Sequence, residues 1–220
     1  MVAVVPKPTL QTVFELLFQA YGPQNWWPGD SPFEIMVGAV LTQNTSWTNV
    51  EKAIGNLKQA RLLTPQKIIA SHHKSLATHL KPSGYFNIKT KRLKSFCQWL
   101  LNQGGEMALA RRETEKLRIE LLSVHGIGPE TADDILLYAL DRPVFVIDAY
   151  TRRIFQRLGL IGGDEPYEQL RKMFEQGLGT DIALFNEYHA LIVLHGKDIC
   201  RKQPRCEQCC LQSFCSVSAA

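Results

Sequence analysis

Apolar residues along the 220-residue chain recur mostly at intervals of three and four, which is the period of an α-helix. Ser31 and Thr64 each precede a proline, an arrangement typical of a helix start, because the hydroxyl caps the helix and proline suits its first turn. The predicted helices are Leu10–Tyr21, Pro32–Leu41, Trp47–Ala60, Pro65–Ser71, Lys74–Leu80, Ile88–Gln103, Glu113–Ser123, Glu130–Leu140, Ala149–Leu158, Tyr167–Gln176 and Ile182–Leu194. We therefore predict an all-α fold.

Alternating apolar and polar runs are nearly absent from the chain. The run Pro143–Ile147 (PVFVI) is strand-like, but it is short. The sequence has no internal repeat and no low-complexity linker, so any lobes are expected to pack closely.

Composition places the chain among ordinary globular proteins, with 45% hydrophobic and 21% charged residues. A formal charge of +4 and a pI near 8.7 permit a polyanionic partner without requiring one. The beginning, MVAVVPKPTL, does not look like a signal peptide, and no apolar run approaches the roughly 18 residues of a membrane span. We therefore expect an intracellular protein.

The stretch VHGIGPETADDILLYAL interrupts the helical pattern near the middle of the chain. Gly126 and Gly128 are expected to adopt positive φ and to expose their amide groups, and Pro129 suits the first turn of the next helix. Amides at a helix N-terminus attract anions, so the turn could bind a phosphate of nucleic acid without reading a base. The alternative is a plain connection between two helices.

Cysteine is concentrated at the end of the chain, where five of the six cysteines lie and four of them form the pattern C-x5-C-x2-C-x5-C. In a reducing compartment this predicts a metal centre rather than three disulfides. Spacing alone favours structural zinc, and an iron–sulfur cluster is the alternative. The four proposed ligands are Cys200, Cys206, Cys209 and Cys215.

The stretch from the glycine turn to the arginines, LLSVHGIGPETADDILLYALDRPVFVIDAYTRRI, resembles the helix–hairpin–helix and following aspartate of the endonuclease III superfamily of DNA glycosylases. The resemblance implies that the turn with Gly126 and Gly128 grips a DNA phosphate and that Asp148 is catalytic. Arg152 and Arg153, beside the carboxylate, are expected to contact DNA. Without that context, Asp148 would be read as a helix cap.

The C-terminal tail, LHGKDICRKQPRCEQCCLQSFC, resembles the iron–sulfur loop of endonuclease III. The resemblance implies a structural [4Fe–4S] cluster on the four cysteines, with Cys210 as a bystander, although the neighbouring Cys209 leaves the register ambiguous. The first gap has five residues where the family usually has six. We also expect that a monovalent cation binds at the hairpin.

Glu130 occupies the position at which the bifunctional members of the superfamily have a lysine. That lysine forms a Schiff base with the sugar and cuts the strand. A carboxylate cannot do this, so we expect a monofunctional glycosylase that leaves an abasic site. Glu130 is also expected to begin a helix.

The segments WWP, LTQNTSW and KPSGYFNIKTKRL resemble the 3-methyladenine DNA glycosylase branch of the superfamily. The resemblance implies that aromatic residues hold the flipped base, whereas clustered tryptophans are otherwise more often core. The implied base pocket is Trp26, Trp27, Pro28 and Trp47. The residues expected to probe the duplex are Gln43, Asn44 and Tyr85. Lys89, Lys91, Arg92 and Lys94 are expected to follow on the phosphates.

The family resemblance implies two helical lobes around a DNA-binding cleft. We expect residues 32–141 to form a six-helix lobe with the hairpin, and residues 1–31 and 142–220 to form the lobe with the cluster. Double-stranded DNA with a damaged base is the expected partner of a monomer, located in the cytoplasm with the nucleoid in a bacterium or archaeon. The alternatives are a mismatch, uracil, thymine or oxidised-pyrimidine glycosylase, and a non-catalytic DNA-binding module.

Overall fold

The computed structural model describes residues 7–26 and 29–215 and is all-α within those ranges, as predicted. Its helices are α1 (Leu10–Tyr21), α2 (Pro32–Leu41), α3 (Trp47–Gln59), α4 (Pro65–Ala70), α5 (His73–Leu80), α6 (Phe86–Asn102), α7 (Glu106–Leu109), α8 (Thr114–Leu122), α9 (Pro129–Asp134), α10 (Ala149–Arg157), α11 (Tyr167–Leu178) and α12 (Ile182–Asp198). Helix α9 continues as a π-helical turn over Ile135–Ala139.

Side-chain caps fix several helix starts. Ser31 and Thr64 accept hydrogen bonds from the backbone N–H groups of Glu34 and Lys67, as their position before proline predicts. Glu113, predicted as the first residue of a helix, instead caps α8 through its carboxylate. The short helix α7 follows Gly105 and has no counterpart in the predicted set.

The chain contains two compact units, which among the described residues comprise 7–26 with 143–215, and 29–142. The first unit has an aromatic core in which Phe145 stacks on Phe174 at 4.5 Å between ring centroids. Phe155 and Tyr188 pack edge-on around this pair, and the Tyr188 hydroxyl donates to the carbonyl of Leu10 at 2.7 Å. These four rings are fully buried.

The strand-like run Pro143–Ile147 is extended but forms no ladder, and the described residues contain no strand. Side chains of α11 take the place of a partner strand: the N–H of Phe145 donates to Glu175 at 3.1 Å, and that of Ile147 donates to the Tyr167 hydroxyl at 3.2 Å. Because these bonds satisfy the backbone, the segment can be buried. It leads directly into Asp148.

The second unit is built around α2, whose residues from Met36 to Leu41 are all buried. Helix α6 packs against α4 and α5. Arg118 of α8 and Asp133 of α9 form a buried bidentate pair, with distances of 2.6 and 3.1 Å, that ties together the two helices of the hairpin. No helix in the described part of the chain is long and apolar enough to cross a membrane.

Candidate functional site

The hairpin runs from Leu122, the last residue of α8, to Pro129, the first of α9. Gly126 has φ +87°, as predicted, and a Cβ there would overlap the side chain of Arg92. The prediction is wrong for Gly128, whose φ of −93° is ordinary extended backbone. A Cβ at Gly128 would meet no atom of the chain within 4 Å. Neither backbone strain nor internal packing therefore requires glycine at this position.

Gln43 connects the loop after α2 to the hairpin. Its amide nitrogen donates to the carbonyl of Gly126 at 3.0 Å and to the Thr131 hydroxyl at 2.9 Å. Its amide oxygen accepts a hydrogen bond from Nη1 of Arg92. The duplex-probing role of Gln43 stays a prediction, because these partners all belong to the protein.

Asn44 and Tyr85 are exposed at the tips of two loops. Both have left-handed backbone conformations, with φ of 55° at Asn44 and 45° at Tyr85. The Tyr85 side chain is 68% exposed and immediately precedes α6. A large aromatic ring on a strained tip is well suited to contact a ligand outside the chain, and the DNA contacts of Asn44 and Tyr85 stay predictions.

Three of the four cations predicted to bind phosphates donate to groups of the protein, Arg92 to Gln43 and the two lysines Lys89 and Lys94 to backbone carbonyls. Lys89 is 1% exposed, and its ammonium donates to the carbonyls of Leu41 at 2.8 Å and Ser83 at 2.5 Å. The phosphate contact predicted for Lys89 is therefore wrong, because Lys89 lies on the buried side of α6 although its neighbours in sequence are basic. The ammonium of Lys94 donates to the carbonyls of Ile69 and Ser71. Lys91 is exposed.

Asp148 lies in the other unit and caps α10. Its Oδ1 accepts hydrogen bonds from the N–H of Thr151 at 2.7 Å and from the Thr151 hydroxyl at 2.8 Å. Its Oδ2 lies 3.7 Å from Nε2 of His189, a buried residue of α12. The cap that the sequence offers as an alternative to catalysis is thus real, and it fixes the orientation of the carboxylate.

The pKa of Asp148 is lowered despite its burial. Burial alone would raise the pKa, but the nearby imidazole of His189 and the two hydrogen bonds from Thr151 outweigh it. The carboxylate is therefore an anion at neutral pH. His189 was not among the predicted site residues, because it is distant along the chain and no neighbouring motif marks it.

Arg152 and Arg153 bind carbonyl oxygens of their own unit. Arg152 donates to Glu165 at 2.8 Å, and Arg153 donates to Cys200 and Gly196, each at 2.8 Å. The guanidinium of Arg153 also lies 5.1 Å from the ring centroid of Tyr150. These contacts tie α10 to the cysteine loop, and the DNA contact of both arginines stays a prediction.

The four predicted ligand cysteines line a single cavity, and Cys210 does not. No three His, Cys, Asp or Glu side chains within residues 7–26 and 29–215 converge closely enough to bind one metal ion. Four thiols around a common cavity are a donor set that suits a soft metal centre, either zinc or an iron–sulfur cluster. Arg157 lines the same cavity and donates to Cys200 Sγ at 3.1 Å.

Trp47 begins α3 and lies against α2, where a Cβ at Gly38 would be 3.1 Å from its ring. It is partly exposed and lines a surface cavity of about 260 Å³. The charged residues of this cavity are Asp30, Glu34, Glu51 and Lys58. Trp26, in the other unit, is also partly exposed. Trp27 and Pro28 lie outside the described residues.

Comparison with known proteins gives a family match over residues 37–179, described as HhH-GPD superfamily base excision DNA repair protein. A protein of Methanocaldococcus jannaschii named as a candidate DNA repair glycosylase is 48% identical over 206 residues, covering 92% of this chain and 94% of the relative. The endonuclease III of Thermotoga maritima is 30% identical, covering 84% of this chain and 82% of the relative.

The structure is also similar to solved ones. The 3-methyladenine DNA glycosylase of H. pylori, bound to 1,N6-ethenoadenine, is 30% identical with a TM-score of 0.73, over 84% of this chain and 95% of the other. An endonuclease III in a non-covalent DNA complex superimposes with a TM-score of 0.82 at 21% identity, over 96% of this chain and 95% of the other. At this low identity, the likeness to the endonuclease III structure shows a shared fold alone.

Proposed function

The chain belongs to the HhH-GPD superfamily of base excision DNA repair proteins, and from that premise we propose that it is a monofunctional glycosylase for alkylated purines such as 3-methyladenine. As a member, it is a DNA glycosylase of base excision repair, an enzyme that acts on N-glycosyl bonds. The proposal adds two points: the bases removed are alkylated purines, and the strand is left uncut at the abasic site. It is carried by one observation: the chain keeps an anionic Asp148 but has a carboxylate, Glu130, at the position of the amine nucleophile.

Asp148 acts in this proposal mainly as a fixed negative charge. As the N-glycosyl bond breaks, positive charge develops on the sugar, and a preorganised anion stabilises it. Water then adds its oxygen to the sugar carbon and releases its extra proton to the solvent. Because the pKa of Asp148 is lowered, the carboxylate is a stronger electrostatic stabiliser than proton acceptor.

An alkylated purine suits a site with few acid groups, because its ring is already cationic and leaves as a neutral base. Electron-rich indoles attract such a ring through cation–π interactions. The cavity beside Trp47 is lined by three carboxylates and by one lysine, which pairs with Asp30 and Glu34, and this excess of negative charge favours a cation. The likeness to the H. pylori enzyme supports the same class of base. We assign Trp26, Trp27, Pro28 and Trp47 to the base.

Glu130 is the second residue of α9 and is exposed. A carboxylate forms no Schiff base, so the proposed enzyme releases the base by hydrolysis alone. Borohydride tests this directly, because it traps a Schiff base as a covalent protein–DNA adduct. We expect no adduct from the wild-type protein, and an efficient adduct would contradict the hydrolytic assignment.

We assign double-stranded DNA to the hairpin and to the exposed tips at Asn44 and Tyr85. The open space at Gly128 supports close approach of a phosphate to the backbone, since nothing inside the chain requires glycine there. We further propose a structural [4Fe–4S] cluster on the four cysteines of the C-terminal cavity, and a monovalent cation at the hairpin. A broad visible absorption band with bound iron supports the cluster, whereas bound zinc without that band contradicts it.

The substrate is tested with duplexes that each contain one altered base. We expect excision of 3-methyladenine, and no release of thymine glycol or of uracil opposite guanine; 7-methylguanine measures how wide the alkylpurine range is. Preferential release of thymine glycol or uracil would contradict the proposal and favour the endonuclease III-like or mismatch alternatives. Binding without release of any base would favour a non-catalytic module.

The base pocket is tested with Trp47→Ala. We expect a larger loss of excision rate than of affinity for undamaged duplex, because in this proposal the indole contacts the flipped base and not the undamaged duplex. Met107→Ala is the control, since Met107 is an exposed apolar residue of the same unit and lies on α7, outside the loops and the hairpin assigned to DNA. Equal losses of excision and binding would mean that Trp47 is a packing residue.

A further inference from the structure

The buried ammonium of Lys89 joins two loops that the proposed function assigns to DNA. Leu41, one of its two partners, is the last residue of α2 and precedes the Gln43 loop, residues 42–46. Ser83, the other partner, ends a 3₁₀ turn and precedes Tyr85. We call residues 83–85 the Tyr85 loop. The Lys89 amine therefore lies where both loops begin.

The chemistry of helix ends explains this arrangement. The last carbonyls of a helix have no intrahelical donor and carry the negative end of the helix dipole. An ammonium has three N–H donors and suits such carbonyls. At Lys89, the carbonyl ends of α2 and of the 3₁₀ turn converge on the same cation. Releasing the amine would leave both carbonyls unsatisfied at once, which couples the two ends energetically.

Arg92 extends the connection to the hairpin. It lies on α6 one turn after Lys89, donates to Oε1 of Gln43 and packs along Gly126. Gln43 in turn donates to Gly126 and Thr131. Helix α6 thus contacts the Gln43 loop, the Tyr85 loop and the hairpin through two cations.

We propose that Lys89 is a positioning residue, which holds the Gln43 loop and the Tyr85 loop as one unit so that both meet the duplex together. The assignment of these loops to DNA rests on the proposed function. The coupling itself rests on the two carbonyl contacts of Lys89. Lys89 touches no substrate, and it acts through Leu41 and Ser83.

The first test measures amide hydrogen exchange in the free protein. We expect Lys89→Met to accelerate exchange in residues 42–46 and 83–87 together, because both loop roots lose their common donor. Lys74→Met is the matched control, since Lys74 is an exposed lysine of the same unit and its removal changes the net charge equally. Unchanged exchange in either loop, or equal acceleration by the control, would overturn the proposal.

A second variant separates the two cations. Arg92→Met removes the bond to Gln43 but leaves both carbonyl contacts of Lys89 in place. We expect faster exchange in the Gln43 loop and the hairpin, with residues 83–87 unchanged. If Arg92→Met and Lys89→Met give the same pattern, Lys89 has no specific coupling role. In the wild-type protein, the amide exchange rates of the two loops should depend on denaturant concentration in the same way, because the loops open together. Two different dependences would overturn the proposal, and this test does not need Lys89→Met to fold.

The functional readout is a split between chemistry and binding. We expect Lys89→Met to lower the single-turnover excision rate about 10- to 100-fold, a typical penalty for misplaced contacts. Affinity for undamaged duplex should change less than about twofold. A loss confined to affinity would overturn the positioning role. If the wild type excises no alkylated purine while both loops still respond together in exchange, the proposed function fails and the coupling stands.

Discussion

Two buried charges, one in each unit, occupy helix ends of opposite polarity. Asp148 caps the first turn of α10, where the helix dipole favours an anion. Lys89 meets the last carbonyl of α2, where the dipole favours a cation. Both groups are less than 10% exposed, and both make hydrogen bonds that offset the loss of water.

The surroundings of Asp148 and Lys89 nevertheless have different effects on the charge of each group. Asp148 faces His189 and two donors from Thr151, which lower its pKa despite burial and keep it ionised. The bonded partners of Lys89 are carbonyls, and burial together with the positive charge of Arg92 lowers its pKa to about 8. The chain therefore preserves the charge of Asp148 and only weakly that of Lys89. A group that stabilises a cationic sugar needs its charge, whereas a group that holds two loops needs mainly its donors.

The largest effect is expected from removing the charge of Asp148. Asp148→Asn should lower the excision rate about 10²- to 10³-fold, in line with the loss of other preorganised electrostatic groups. Asparagine caps helices as well as aspartate does, so stability should be nearly unchanged. Single-turnover excision and thermal unfolding measure the two effects.

Asp181→Asn is the control for that experiment, because Asp181 caps α12 in the same unit and has no assigned part in the reaction. We expect the control to excise at the wild-type rate. Excision by Asp148→Asn at nearly that rate, with the fold intact, would reduce Asp148 to the structural role that Lys89 has.

Substitutions at the two hairpin glycines distinguish a glycine that the fold requires from a glycine that DNA binding requires. Gly126→Ala should destabilise the protein by at least about 1–2 kcal/mol, the cost of a left-handed backbone, with the overlap on Arg92 added. Gly128→Ala should change stability by less than about 0.5 kcal/mol, because its backbone is extended and its surroundings are open. Urea unfolding measures both.

For affinity toward duplex DNA the order should reverse: among folded variants, Gly128→Ala should lose more affinity than Gly126→Ala. A methyl group at Gly128 would stand between the backbone and a phosphate, and we expect about a tenfold loss of affinity, equivalent to one hydrogen bond to a charged group. Titration of an undamaged fluorescent duplex gives this value. Wild-type affinity of Gly128→Ala would remove Gly128 from the DNA contact.

The lowered pKa of Lys89 predicts a rise of stability in alkali. Between pH 8 and 10.5 the unfolded chain keeps this proton while the folded chain releases it, so the free energy of unfolding increases with pH. The difference between wild type and Lys89→Met should grow by about 1–3 kcal/mol over this window. A flat or falling difference would mean that Lys89 stays charged in the fold.

The smallest effect at neutral pH is expected from His189→Gln. His189 lowers the pKa of Asp148, so its loss lets burial raise that pKa. Because the proposed reaction uses the ionised carboxylate, the acid limb of the rate profile should shift to higher pH. The measurement is the single-turnover rate across the acid range, and an unshifted limb would show that His189 does not tune Asp148.

Local signals made the all-α fold predictable. The Ser31-Pro32 and Thr64-Pro65 pairs gave helix starts that the structure has. Helix α12 extends four residues beyond its predicted end at Leu194, because the Gly196 in its last turn is tolerated where it packs against Tyr150. The strand-like run before Asp148 does not pair, since its donors are satisfied by side chains that no local pattern reveals.

The site was less predictable because its contacts join residues that are distant in sequence. Lys89 stands in a run of basic residues that resembles a solvated face, and only the packing of α6 shows that it is buried. The contact between Asp148 and His189 links α10 to α12, and Gln43 reaches Gly126 across 83 residues. The assigned cysteines, by contrast, lie close together in sequence, and the structure places all four around one cavity.

The most direct measurement follows a single 3-methyladenine in an end-labelled duplex under single-turnover conditions, with wild type and Asp148→Asn side by side. We predict that wild type releases the base, that the strand breaks only after treatment with alkali, and that the variant is at least about 100-fold slower. Strand cleavage by the wild-type protein without alkali, or equal rates for the two proteins, would contradict this prediction.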